Sequence, residues 1–126
     1  MKNANFSSAK LDSADFTKTD LSGADFSYAK LFKAILFQAK LSESKFIEAD
    51  LMGANLSSSD LTGADLSRCS LVEANLIGSN LTGANLKDAK LIGRFTREGY
   101  FSRGANLTRC TLKGADLRQA NCHGAD

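Results

Sequence analysis

The side chains able to do chemistry are few, and their spacing does not assemble them. The only histidine, His123, falls near the end of the chain. A nucleophile or general base needs a partner within hydrogen-bonding reach and a third group to orient it. The spacing around His123 supplies neither. Cys69, Cys110 and Cys122 lack the paired spacing and the ligand count of a zinc site. No phosphate loop or dinucleotide fingerprint is present, because Gly-x-Gly spacing never occurs. The carboxylates are numerous, yet most recur at one fixed interval and so form a periodic surface feature. These residues predict a protein that is not an enzyme and has no metal or cofactor site.

That fixed interval is five residues. Counting in fives from Phe6 to Leu91 gives eighteen positions, and every one is Leu or Phe; we call these central residues. Two residues earlier the side chain is small, Ala in thirteen cases and otherwise Thr19, Ser44, Ser59, Cys69 or Ser79. One residue earlier, Asp or Asn takes eleven of the eighteen places, and Lys takes five: Lys10, Lys30, Lys40, Lys45 and Lys90. A period of five is neither helical nor that of a plain strand. In extended backbone, residues two apart point the same way, so the small and central residues share one face and the residue between them points oppositely. Each block then reads as about three strand-like residues and a turn. Gly23, Gly53, Gly63, Gly78, Gly83 and Gly93 stand two residues after a centre, where a type II turn needs a positive φ. Such a chain must coil around a filled interior.

The blocks Gly53-Ala54-Asn55-Leu56 and Gly114-Ala115-Asp116-Leu117 match the A(D/N)LXX motif, and the chain resembles the pentapeptide-repeat family over nearly its whole length. The resemblance implies an all-β fold: a right-handed quadrilateral β-helix of about five to six coils, four blocks to a coil, with residues 20 apart stacked. Phe6, Phe26 and Phe46 recur at that interval, which agrees with a column of rings.

A length of 126 residues, 43% apolar and 24% charged, fits one domain and argues against disorder. We read residues 1–126 as a single β-helix domain interrupted near 94–103. The repeat starts at Met1 without a cap and stops in mid-block at Asp126, so we expect a fragment of a longer chain. No membrane span or signal peptide is visible, which makes the cytoplasm the expected compartment. In this grid Cys69 and Cys110 fill small slots and Cys122 a central slot, so all three are expected to be buried and reduced.

With the interior so regular, function is expected on outward positions. The residue after each centre on one side forms the column Asp12, Phe32, Met52, Val72 and Ile92, four of them large and apolar. The next side carries Thr17, Phe37, Ser57 and Ile77, with Ile35 also outward. A contiguous apolar stripe on a rigid face reads as a contact surface, with strand-supporting packing as the plain alternative. After Gly93 the register breaks. The next clear centres, from Leu107, are one residue out of phase, and that phase extends back to Ser102 with Gly104 in a turn place. The break holds Arg94, Arg97 and Arg103 together with Phe95, Tyr100 and Phe101, a composition found at interface hot spots. Its plain alternative is a tolerated insertion folded over the column beside Ile92.

These features predict a protein-protein interaction scaffold whose partner is another protein, or a second copy engaged through the uncapped ends or the apolar column. The resemblance adds a second reading, the DNA-mimic role in which some members engage DNA gyrase. A net charge of +2 and lysines in the acidic slot depart from it. A structural spacer is a third reading, which the outward apolar residues would not require. Nucleic-acid binding is not expected, because phosphate recognition needs clustered cations and only the break offers them.

Overall fold

A computed structural model describes residues 1–94, 97–99 and 102–126. The chain winds into a four-sided coil. Single-residue parallel bridges join each block to the block 20 residues on, from Asn5↔Asp25 to Ser70↔Lys90. Twenty residues are four blocks of five, so a coil has four sides. Each side pairs through one bridge residue, shorter than the three-residue strands the alternation suggests.

The hydrogen bonds show why a five-residue unit closes on itself. Within a block, the amide three residues after a centre donates back to that centre's carbonyl, as Ala84 N to Leu81 O at 3.0 Å. This is a β-turn at every corner. Between coils, a centre's amide donates to the carbonyl 19 residues ahead, as Leu56 N to Asn75 O at 2.7 Å, and the bridge residue donates downward, as Asn55 N to Ala34 O at 2.9 Å. The corner residue itself sits at positive φ. Glycine is one way to achieve this, but among the described residues fifteen that are not glycine do the same, Lys33 at 54° and Glu73 at 60° among them. A left-handed L-residue costs about 1–2 kcal/mol. The corner amide offsets part of that by joining the ladder, as Lys33 N does to Met52 O at 2.9 Å.

Small and central side chains point inward as expected. From Leu21 to Leu91 every central residue is fully buried. Phe26 lies between Phe6 and Phe46, with ring centroids 4.9 Å away on both sides and interplanar angles of 11° and 3°. Phe16 meets Phe6 and Phe26 edge-on at 5.8 and 5.9 Å. Two serines in small slots find a carbonyl, Ser44 Oγ donating to Leu41 O at 2.6 Å and Ser79 Oγ to Leu56 O at 2.7 Å, whereas the buried Ser59 Oγ has no hydrogen-bond partner among the described residues.

After Ser70↔Lys90 the bridge offset changes from 20 to 31, starting at Asn75↔Asn106. Eleven residues are therefore inserted. Ala105 N donates to Leu91 O at 2.7 Å, the bond that closes every other corner, so residues 94–104 are the extra ones. The extension of the repeat phase back to Ser102 does not hold. Ser102 is not the centre of a side; its amide donates to Arg94 O at 2.7 Å and its hydroxyl accepts from Arg94 N at 2.6 Å, closing the base of the insertion. Gly93 and Gly104 are not positive-φ corners either. They are glycines because backbone passes too close for a Cβ: at Gly93 it would strike Ser102 O, and at Gly104 it would strike Leu91 O and lie 2.8 Å from Ala125 N.

Candidate interaction surface

The bridge slot, filled so often by Asp or Asn, has a local task. The amide just after each centre takes no part in the ladder, and the slot's side chain accepts from it two residues on. Ser27 N donates to Asp25 Oδ1 at 2.8 Å, Ser57 N to Asn55 Oδ1 at 3.1 Å and Thr108 N to Asn106 Oδ1 at 3.0 Å. A following Ser or Thr adds its hydroxyl to the same oxygen, as Thr62 Oγ1 to Asp60 Oδ1 at 2.6 Å. These are Asx turns, and they account for the periodic carboxylates without any catalytic role. Lys offers no acceptor. Beside Lys30, the Phe32 amide instead donates to Asp12 Oδ1 of the preceding coil at 3.3 Å.

These bonds favour ionised carboxylates. The Thr17 hydroxyl and amide hold Asp15 below its ordinary range, and Ser22 and Ser27 do the same for Asp20 and Asp25. Hydrogen bonds from the Arg118 guanidinium bring Asp116 down to about 2. A carboxyl whose folded pKa is depressed adds stability above its unfolded pKa, and that stability is lost as pH falls through the folded value. For Asp116 the window runs from about pH 4 to about 2. The melting temperature should therefore hold steady down to about pH 5 and fall below about pH 4. Asn already does the same bonding at Asn55 and Asn75, so an Asp20→Asn, Asp25→Asn, Asp116→Asn variant should show a shallower acid limb. An identical limb would mean these bonds carry none of the acid dependence.

The apolar column forms as one surface. Phe32, Met52, Val72 and Ile92 follow bridge residues joined in the series Lys30↔Asp50↔Ser70↔Lys90, so they stack on successive coils. It is less exposed than an outward position suggests. Phe32, Met52 and Ile92 are half-buried, and Val72 is 8% exposed. The Lys33 ammonium lies 5.2 Å from the Phe32 ring centroid. On the neighbouring side Ile35 and Ile77 are more open, at 37% and 38%. Phe37 is half-buried and Ser57 separates it from Ile77, so that side has no continuous stripe.

The insertion is tied to this surface by a contact that sequence spacing does not reveal. The Arg94 guanidinium grips Glu73, Nε to Oε1 at 3.2 Å and Nη2 to Oε2 at 3.1 Å. This bidentate pair, with a further hydrogen bond from Ser102, holds Glu73 below the usual carboxylate range. Arg97 is exposed, and Arg103 stands 3.8 Å from Asp126 with most of its side chain in solvent. The expectations for Phe95, Tyr100 and Phe101 lie outside the described residues.

Two of the three cysteines differ from expectation. Cys69 is fully buried, and burial pushes its thiol far up. Cys110 is only partly buried, its Sγ 2.8 Å from Leu76 O, and Cys122 is exposed. Cys110 packs against the core, but both belong to the last coil, which has a neighbour on one side only. All three are free thiols. Among the described residues no group of three His, Cys, Asp or Glu could hold a metal ion, and no helix is long and apolar enough to cross a membrane.

A profile of pentapeptide repeats matches residues 1–36, 34–71, 69–93 and 103–126, in eight copies. The chain belongs to the pentapeptide-repeat family. The unmatched stretch falls within the insertion, so the family pattern and the bridge register locate the same interruption. Two solved pentapeptide-repeat structures are similar to this one. A protein from Nostoc PCC 7120 is 32% identical over 94% of this chain and 86% of its own, with a TM-score of 0.69. A protein from the Arabidopsis thaliana thylakoid lumen is 34% identical, covering 85% of this chain, with a TM-score of 0.60. This pentapeptide-repeat chain spans 63% of the thylakoid-lumen protein's length. A search of curated proteins found no match.

Proposed function

We propose that this chain is a non-enzymatic protein-interaction scaffold, and that its contact face is the side bearing Phe32, Met52 and Ile92. The observation that carries this reading is the continuity of that column over four coils. The interior and corners are accounted for by packing and Asx turns, and the column is the outward feature those local rules do not require. The scaffold holds it rigid through the interlocked amide ladder, so little side-chain freedom remains to be lost on binding.

Met52→Asp tests the reading. Met52 is half-buried and outward, so the variant should keep the β circular-dichroism signal. Chemical crosslinking in a lysate should give a defined adduct with the unaltered chain and lose it with Met52→Asp. The same adduct from both proteins would remove the column from consideration.

A further inference from the structure

One side of the coil is free of charge between its corners over four successive coils. Its bridge series runs Ile35↔Asn55↔Asn75↔Asn106, and the residues after its centres are Phe37, Ser57, Ile77 and Thr108. Among the described residues the other three sides all mix lysine and aspartate in the bridge slot, as Lys30 with Asp50, Lys40 with Asp60 and Lys45 with Asp65. Each asparagine of the uncharged side turns its Oδ1 to the amide two residues on, at Ser57, Ile77 and Thr108. What faces outward is therefore neutral amides and hydroxyls between apolar groups. Ile35 and Ile77 are 37% and 38% exposed, and Phe37 is half-buried. Depletion of charge at the centre is what distinguishes an interface from ordinary surface.

The break in this side's apolar pattern selects the occupant. Phe37 and Ile77 lie two coils apart, about 10 Å, with Ser57 midway. A single linear segment laid along the axis would cross a polar gap between them. A second copy turned end for end would not. A two-fold axis in the plane of the face, running along Asn55 and Ser57, sets Phe37 on the partner's Ile77 and Ile77 on the partner's Phe37. An isologous contact meets itself, so a charge near the axis would face its own like, and this is the side that has none there. The corner beside it, Lys33, Gly53 and Glu73 in successive coils, fits the same rotation, which puts Lys33 opposite the partner's Glu73. Glu73 keeps its Arg94 partner, so Lys33 joins an ion pair without replacing one. Like charges meet only at the outer corner one coil further out, where Lys18 comes opposite the partner's Arg109. Area is sufficient: 6681 Å² of exposed surface, shared among four sides and two ends, leaves on the order of 1,000 Å² for one side, against the roughly 800 Å² that each partner gives to a stable interface.

We infer that this side is a self-association face, pairing two copies of the chain antiparallel through Ile35, Phe37 and Ile77. The inference goes beyond the scaffold reading and shares no residue with the Phe32 column.

Sedimentation velocity of the whole chain at concentrations up to about 0.5 mM should show a monomer–dimer equilibrium. Ile77 points outward, so Ile77→Asp should keep the β circular-dichroism signal while weakening the dimer at least about tenfold, because it sets an unpaired charge against the partner's Phe37. Met52→Asp should leave the dimer unchanged. Arg109 is exposed and gives a test that does not touch the apolar contact: Arg109→Glu should tighten the dimer a few-fold at about 50 mM salt, where screening is weak, by placing a carboxylate opposite Lys18. A monomer throughout, or a dimer that Ile77→Asp does not weaken, would overturn the inference. Species that keep growing with concentration would mean stacking through the coil ends and would overturn it too. An Arg109→Glu dimer no tighter than the parent would exclude the antiparallel pairing. The Met52-dependent crosslink is read separately, so failure of either result leaves the other reading standing.

Discussion

A single carboxylate at Leu56 is expected to unfold the coil. Leu56 is fully buried, with Leu36 and Leu76 stacked below and above it on the same side and equally buried. Its amide and carbonyl are already engaged, the amide by Asn75 O at 2.7 Å and the carbonyl by Ser79 Oγ at 2.7 Å. An aspartate there loses the leucine packing, worth about 2–5 kcal/mol. It also places a charge where nothing can solvate or pair with it, which adds several kcal/mol more. Total stability of a domain is about 5–15 kcal/mol, so the sum removes most or all of it. The position is near mid-chain, and coils in a solenoid depend on their neighbours, so neither half has a well-covered partner left. Thermal circular dichroism of Leu56→Asp should show no cooperative transition, whereas Leu56→Met should cost less than about 1.5 kcal/mol. A Leu56→Asp protein melting within a few degrees of the parent would mean that Leu56 does not face the interior.

The phenylalanine column supplies the second large effect. Phe26 is fully buried and has a stacked ring on each side, with the edge of Phe16 against it. Truncation to alanine removes about 3–5 kcal/mol of burial and cavity energy, and each ring pair adds about 0.5–1.5 kcal/mol. Phe6 is partly buried and stacks on one ring only. Urea denaturation should therefore place Phe26→Ala well below Phe6→Ala in midpoint, with little change in slope between them. Equal midpoints would show that the three rings do not act as one stack.

Much of this was legible in the residues, for a physical reason. Each block repeats the same local problem: a small and a large apolar residue two apart must face inward, and the chain must turn before the next. Phe6, Phe26 and Phe46 could be placed in one column from spacing alone because the corners are local and the coil length is a whole number of blocks. The Phe32 to Ile92 column was legible for the same reason. The burial of Val72 was not, since exposure depends on which residues from different coils lie beside it.

The glycines show where local reasoning stops. Gly53 and Gly63 are corners with positive φ, as the turn pattern requires. Lys33 and Glu73 adopt the same conformation without being glycine; the Lys33 amide joins the ladder at Met52 O, and the Glu73 carboxylate is held by Arg94. Gly93 and Gly104 occupy the expected interval yet serve close backbone approach around the insertion. The sequence by itself determined the period, the inward face, the rings in register and the outward columns, all consequences of a rule repeated every five residues. Tertiary structure alone decided what that rule does not contain: the length of the insertion, its anchorage through Arg94 to Glu73, and the exposure of Cys122. Each of these depends on which residues from different coils come to lie side by side.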